Sequence, residues 1–289
     1  MSGEDQYISS TQNPKIKRLL ALQEKSSERR KSGLFVVEGR RELEHCLAAG
    51  YEVESVFTGS PPALPMREGV DTFAVSRHVY ERIAYRGSTE GVVAIVRAKP
   101  HSIDELGLMI DEYQRGALEN VGNLYSSFII HQSSIPTPLF VVLESVEKPG
   151  NLGAVLRSAD AAGATAVIVC DPLTDLYNPN LIRASIGACF TVPTVACSSE
   201  ECIRFLKAHG VQILTAQLQD SNLYYDTDMT KPTAIVMGTE STGLTDLWRE
   251  AADAHIRIPM LGRLDSLNVS VSAAILLFEA VRQRENKGK

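Results

Sequence analysis

The chain has 289 residues, room for two domains of ordinary size, and its 44% hydrophobic content supports packed cores and rules out wholesale disorder. A net charge of −6 speaks against a strongly basic nucleic-acid binder, and no apolar run approaches the ~20 residues of a membrane span. Cys46, Cys170, Cys189, Cys197 and Cys202 form no CxxC pair and are odd in number, which points to reduced thiols in the cytoplasm and to no metal site. The start, MSGEDQYISS, is acidic and lacks the apolar run of a secretory signal.

In chain order, Asn13–Gln23 (NPKIKRLLALQ) predicts a helix opened by Asn-Pro, with Ile16, Leu19, Leu20 and Leu22 on its apolar side. SSERRKSG follows as a polar stretch ending in glycine. Leu34–Gly39 is a short strand, Arg40–Ala49 a helix stopped by Gly50, and Val53–Gly59 a second strand. DTFAVS, HVYERIA and Gly91–Ala98 continue as strand, helix and strand, giving a small α/β domain over residues 1–98. Residues 99–138 read as a linker or insertion with one or two short helices, weakened by Gly107, Gly116 and Gly122. Ile135-Pro136-Thr137-Pro138 closes it, because two prolines enforce an extended approach to the next strand.

Residues 139–289 then alternate regularly. Strands are expected at Leu139–Val146, Thr165–Cys170, FTVPTVA, Val211–Ala216, Thr233–Gly238 and His255–Met260. Helices are expected at Leu152–Ala162, near Leu181–Ala188, and at Ser199–His209, Leu244–Ala251 and Asn268–Arg284. This is the pattern of a mostly parallel sheet with helices on both faces, in which ligands bind beyond the carboxyl ends of the strands.

Three loops at such ends carry the candidate chemistry. In the first, ESVEKPGNLGAVLR, Asn151 and Gly153 sit where a strand turns into a helix, with Arg157 further along. Glycine permits close backbone approach, a helix N-terminus favours anions, and arginine grips a phosphate or carboxylate with two prongs. The same residues also fit a plain N-cap and a surface ion-pair partner. Neither GxGxxG nor GK[ST] is present, so the loop is not a dinucleotide fingerprint or a P-loop. The second, GTESTG (Gly238–Gly243), suits a loop that wraps an adenosine with backbone groups around one carboxylate, Glu240. The third, Ile258–Ile275, leaves a strand on Ile-Pro-Met and opens a helix at Ser266-Leu267-Asn268. Ser or Asn there is ordinarily a cap, yet the almost uncharged Val269–Phe278 behind it indicates a buried helix whose N-terminus faces a ligand.

Charge is unevenly spread. Residues 1–100 hold 15 Lys+Arg against 13 Asp+Glu, while 101–289 hold 14 against 22. Lys15, Lys17, Arg18, Lys25, Arg29, Arg30, Lys31, Arg40 and Arg41 make a local basic stretch that fits either a solvated face or an RNA contact.

In this order the three loops resemble the signature motifs of the SpoU (TrmH-type) RNA ribose 2′-O-methyltransferases, a branch of the SPOUT class. Asn151, Gly153 and Arg157 match motif one, Gly238, Glu240 and Gly243 motif two, and Ile258-Pro259-Met260 through Ser266-Leu267-Asn268-Val269-Ser270 motif three. NPNLIRASIGACF between them, and NPKIK with FVVEGRRELE near the start, also look like the family; only about 100–137 departs from it. The resemblance implies an S-adenosylmethionine-dependent RNA methyltransferase with a trefoil-knotted C-terminal domain, an N-terminal RNA-binding domain and a homodimeric state. It implies a cofactor pocket of Gly238, Ile258 and Leu267, with Thr215, Gly243 and Met260 nearby, and a catalytic set of Asn151, Arg157, Glu240, Ser266 and Asn268. A guanidinium with a pKa above ~12 is a poor base, so Arg157 is read as a phosphate and alkoxide binder. The basic residues Lys15, Lys17, Arg29, Arg30, Lys31 and Arg40 are then expected to touch structured RNA, large-subunit ribosomal RNA first and transfer RNA as the alternative. A non-catalytic RNA-binding or assembly factor is the remaining reading. No metal is expected, since the thioether that leaves is neutral, and no membrane, since no apolar run is long enough to span one.

Overall fold

The computed structural model describes residues 6–59, 69–85, 91–99, 101–114, 137–239 and 242–286. Glu240, Gly116, Gly122 and the Ile135-Pro136 boundary fall outside them. The elements in order are β1 (Gln6–Ile8), α1 (Pro14–Glu24), α2 (Ser26–Ser32), β2 (Leu34–Glu38), α3 (Arg40–Ala48), β3 (Val53–Thr58), β4 (Asp71–Val75), α4 (Arg77–Ile83), β5 (Val92–Arg97) and α5 (Ile103–Gln114). They continue with β6 (Leu139–Glu144), α6 (Pro149–Ala161), β7 (Ala166–Cys170), α7 (Pro179–Ser185), α8 (Ala188–Thr191), β8 (Thr194–Cys197), α9 (Ser199–Ala208) and β9 (Gln212–Ala216). Last come β10 (Asn222–Leu223), a 3-10 turn, β11 (Thr233–Met237), α10 (Asp246–Ala251), β12 (Ala254–Arg257) and α11 (Val269–Asn286).

By contact the chain divides into two compact units, Met1–Lys99 with Asp175–Gly187, and Pro100–Thr174 with Ala188–Lys289. The first unit has a mixed sheet in the order β1-β4-β3-β5-β2, parallel across β1, β4 and β3 and antiparallel at β5. Ile16, Leu19 and Leu22 of α1 enter its core with Phe57, Phe73, Val93 and Ile95. The predicted helices and strands form, and α2 forms as well, in the stretch read as merely polar. Its helix is closed by Gly33 at φ 65 and its buried contact is Arg29, a residue type that hydrophobic periodicity does not count.

Asp175–Gly187 belongs to this first unit, although its place in the chain puts it inside the sequence boundary of residues 139–289. The physical reason is a set of specific anchors. The Tyr177 ring stacks on Phe35 at 4.4 Å, and its hydroxyl donates to the Lys99 carbonyl at 2.8 Å. Arg183 pairs with the buried Glu38 at 3.1 Å, and Asp175 takes the Arg29 guanidinium at 2.6 Å.

The second unit is built on a seven-stranded sheet in the order β10-β12-β9-β11-β6-β7-β8, with every neighbouring pair parallel. A fully parallel sheet needs cover on both faces, and β6, β7 and β11 are buried at every position. α5, α9 and α10 supply one cover through Leu106, Ile110, Phe205, Leu206 and Trp248. α6 and α11 pack on each other and on β7 and β11. The strand expected over FTVPTVA begins only at Thr194, because Phe190 and Thr191 close α8 and Pro193 has no N–H to donate. Among the described residues no helix is long and apolar enough to cross a membrane.

Candidate functional site

The sheet order fixes where a site can be. From the central pair β6 and β11, the chain runs outward through β7 and β8 on one side and lies as β9, β12 and β10 on the other. The crevice at such a switch point, beyond the carboxyl ends, is where open α/β sheets bind ligands. Two adjoining cavities lie there. One of about 470 Å³ is lined by Ala216–Asp220 after β9, by Met237–Thr239, Gly243 and Leu244 after β11, and by Ile258, Met260, Asp265–Leu267, Val269 and Ser272 after β12. The other, about 220 Å³, lies over β6 and is lined by Leu143–Lys148 and Asn151, sharing Gly238, Thr239 and Val269 with the first.

The two glycines of the second loop serve different physical needs. A Cβ on Gly238 would lie 2.3 Å from the Gly243 carbonyl carbon and oxygen and 2.5 Å from the Leu244 nitrogen, all of them backbone atoms. Gly238 is therefore required for space. A Cβ on Gly243 would meet nothing within 4 Å, but the residue sits at φ +69, so it is required for backbone conformation. The two are joined as a turn by Thr239 and Gly243, which exchange backbone hydrogen bonds at 3.3 and 3.1 Å. Below the turn, Glu144 at the end of β6 is buried and accepts from the Thr245 backbone N–H at 2.9 Å and its hydroxyl at 2.7 Å, which ties β6 to the start of α10.

The motif residues are placed unequally. Asn268 opens α11: its carbonyl accepts from Val271 and Ser272, and its Oδ1 accepts from the Ser270 N–H at 3.0 Å and hydroxyl at 2.6 Å. It is a cap, as a local reading allows. Its Nδ2 also donates to Asn151 Oδ1 at 3.1 Å, across 117 residues, so the cap residue joins the first and third loops. Asn151 is the third residue of α6 and lines the smaller cavity. Ser266, exposed, lines the larger one and hydrogen-bonds Asp265 at 3.3 Å. Gly238, Gly243, Ile258, Met260 and Leu267 all line that larger cavity.

Arg157 and Thr215 stand apart. Six residues beyond Asn151 on a helix is ~9 Å along the axis and ~120° around it, so Arg157 points away from the Asn151 face. It is exposed, lines neither cavity and makes no ion pair among the described residues. Thr215 is wholly buried, and its hydroxyl engages His255 Nδ1 at 2.5 Å behind the cavity wall, one residue before lining begins. Glu240 is outside the described residues.

Among the basic residues, Arg29 corrects the expectation that it contacts RNA. It is 6% exposed, bonded to Asp175 and donating to the Leu22 carbonyl at 2.6 Å, so it is a structural strut. Lys15, Lys17, Arg30, Lys31 and Arg40 are exposed, with Lys15 lying over the Phe73 ring and Arg40 paired to Glu44 at 3.0 Å.

The segment after β9 carries no motif in the sequence, yet it lines the larger cavity. Gln217 there has a buried side-chain oxygen with no hydrogen-bond partner among the described residues, on the wall of the larger cavity. The rule that ligands sit beyond strand ends would have flagged it, since Gln217 directly follows Ala216, the end of β9.

Comparison with known proteins bears on this arrangement. The SpoU rRNA Methylase family matches residues 138–278, and an MRM3-like substrate binding domain matches residues 13–94. A crystal structure of an RNA 2′-O ribose methyltransferase is 37% identical with a TM-score of 0.74, over 96% of this chain and 99% of that one. The chain belongs to the SpoU rRNA methylase family. An AdoMet-bound rRNA methyltransferase from Sinorhizobium meliloti is 29% identical with a TM-score of 0.80, over 96% of this chain and 97% of that one. The 23S rRNA (guanosine-2′-O-)-methyltransferase RlmB of Pseudomonas putida is 38% identical over 167 residues, 57% of this chain and 67% of that protein. The alignments with RlmB from Pseudomonas syringae, Yersinia pestis and Vibrio parahaemolyticus span 60–62% of those proteins. The expected SpoU fold, a mostly parallel α/β domain with a smaller N-terminal domain, is borne out.

Proposed function

We infer that this chain is an S-adenosylmethionine-dependent RNA ribose 2′-O-methyltransferase that acts on large-subunit ribosomal RNA. The observation that carries the reading is the Asn268–Asn151 hydrogen bond, which brings two distant motifs together at the junction of two cavities. The larger cavity fits the cofactor chemically. It offers apolar wall from Leu218, Ile256, Ile258 and Leu267, the unsatisfied Gln217 oxygen for a donor, and a floor at Gly238 too tight for any side chain. S-adenosylmethionine supplies, when bound, a methyl group made electrophilic by a positively charged sulfur.

The residues of the chain then have definable tasks. Asn151 on the wall of the smaller cavity, and Asn268 bonded to it, form an amide pair beside which a ribose hydroxyl can be oriented. Holding that hydroxyl in line accounts for much of the rate, since well-oriented groups gain up to ~7–11 kcal/mol of effective molarity. Ser266 stands at the wall between solvent and the larger cavity, placed to pass on a proton. Arg157 serves a second copy of the chain: its exposed guanidinium, without an ion pair among the described residues, does not reach its own chain's cavities, and a homodimer lets it bind RNA phosphate at the partner's site. Leu261, 97% exposed, and Leu264, 76% exposed, support a surface that a second copy covers. Glu240 is proposed to orient the hydroxyl from the second loop, and the exposed Lys17, Arg30 and Lys31 to hold RNA phosphates.

The test is ribose-methylation mapping of total RNA from cells with and without the gene, followed by methyl transfer to the mapped RNA in vitro. Loss of one ribosomal methyl mark, restored by the purified protein, supports the reading. An unchanged ribosomal map with a transfer-RNA mark lost, or no incorporation at all, overturns it. Mixing chains that carry Arg157→Ala with chains that carry Asn151→Ala tests the shared site, because only mixed dimers regain activity.

A further inference from the structure

Three of the five cysteines, 27 and 5 residues apart in sequence, converge outside the cavities described above. The Sγ atoms of Cys170, Cys197 and Cys202 all lie within 4.8 Å of one another. Cys170 ends β7 and Cys197 ends β8, directly opposite in the parallel register, and Cys202 lies in the first turns of α9. None of the three lines either cavity.

We propose that Cys170, Cys197 and Cys202 form a three-thiolate site for a thiophilic divalent cation of the zinc class. A cation with ~2.3 Å bonds to three sulfurs places them ~3.8–4.0 Å apart, so the thiols close on it by less than ~1 Å, within reach of small side-chain rotations. The three positions are anchored on two strand ends and one helix. The start of that helix is fixed by the Ser198 and Glu201 capping box, by Asp171 accepting from the Ser199 hydroxyl at 2.6 Å, and by Trp248 donating to Ser199 at 3.0 Å. Those contacts engage the Asp171 and Glu201 carboxylates, so three sulfurs are the protein's ligands and the half-buried Cys197 leaves a fourth position toward solvent. Three thiolates leave one net negative charge with a divalent ion and two with a monovalent one, and burial favours the smaller residue of charge. Thiols that merely pack as small apolar groups are the competing account, and the two differ in what they bind.

The experiment uses the full-length chain, reduced and free of metal, titrated with Co(II) under anaerobic conditions. One Co(II) per chain is expected, with a sulfur-to-cobalt charge-transfer band of three-thiolate strength that Zn(II) displaces. Zn(II) is also expected to shield the half-buried Cys197, and not the half-buried Cys189, from alkylation when modified sites are counted by mass spectrometry. Cys197→Ser should weaken Co(II) binding by more than the ~10–100-fold that loss of a supporting group costs, while Cys189→Ser leaves it unchanged. Absence of the band, a band that survives Cys197→Ser, or Zn(II) that leaves Cys197 as open to alkylation as before overturns the proposal. The shielding measurement needs no variant, so a misfolded Cys170→Ser does not blunt the test.

Discussion

Replacing Gly238 by alanine is the sharpest probe of the cofactor reading, because the collision it creates is with backbone. The new methyl would start 2.3 Å from the Gly243 carbonyl, and that backbone must retreat to at least 3.0 Å before the spacing is one that real Cβ atoms tolerate. No flexible side chain can move aside, so the turn from Thr239 to Gly243 opens, and with it a wall of the larger cavity. Overpacking of this kind costs ~1–3 kcal/mol. If the bound state needs the closed turn, that strain appears in binding, and at ~1.4 kcal/mol per factor of ten the affinity for S-adenosylmethionine falls ~10–100-fold. The control is Gly243→Ala, which meets open space but forces alanine into φ +69 at a cost of ~1–2 kcal/mol. It should lower the melting temperature while retaining more of the affinity. Calorimetric titration with S-adenosylmethionine, paired with thermal melts without ligand, separates the two effects. Gly238→Ala that binds at wild-type affinity would refute the placement of the cofactor against this turn.

Arg29→Ala should destabilise the first unit by ~3–5 kcal/mol by leaving Asp175 without its partner, whereas Arg30→Ala and Lys31→Ala should leave stability within ~0.5 kcal/mol. In filter binding across a salt series, the double variant at 30 and 31 should flatten the slope of log affinity against log salt; an unchanged slope removes these residues from the RNA surface. Asn268→Ser keeps a capping oxygen but cannot reach Asn151, so kcat should fall at least tenfold while the melting temperature moves little; equal losses in both would reduce Asn268 to a cap. The Glu279 carboxyl is held below its usual 4.5 by the Arg282 side chain, to which it hydrogen-bonds at 2.7 and 2.8 Å, against the opposing effect of burial. The unfolded chain therefore takes up that proton first, so this pair's contribution is whole above pH 4.5 and disappears as pH falls through the lower folded value. Denaturant titrations of wild type and Glu279→Gln should diverge at neutral pH and converge in acid.

Periodicity and local chemistry were sufficient for most of the elements. The apolar runs of β6, β7 and β11 announce strands buried on both faces, and Asn13-Pro14 announces a helix start, because each of these signals acts within a few residues. The three motif loops were visible through their order and their resemblance to the SpoU signature motifs, since each alone reads as a cap or a turn. Long-range geometry was not. That Asn268 reaches Asn151 while Arg157 does not depends on helix phase and on how α11 lies against α6. That Arg29 is a strut, that Gln217 keeps an unpaired oxygen in a cavity wall, and that three cysteines with no sequence spacing meet at the ends of β7 and β8 follow from which segments the fold brings into contact. Residue types determine what each side chain can do, and the parallel pairing of distant strands decides which of them do it together.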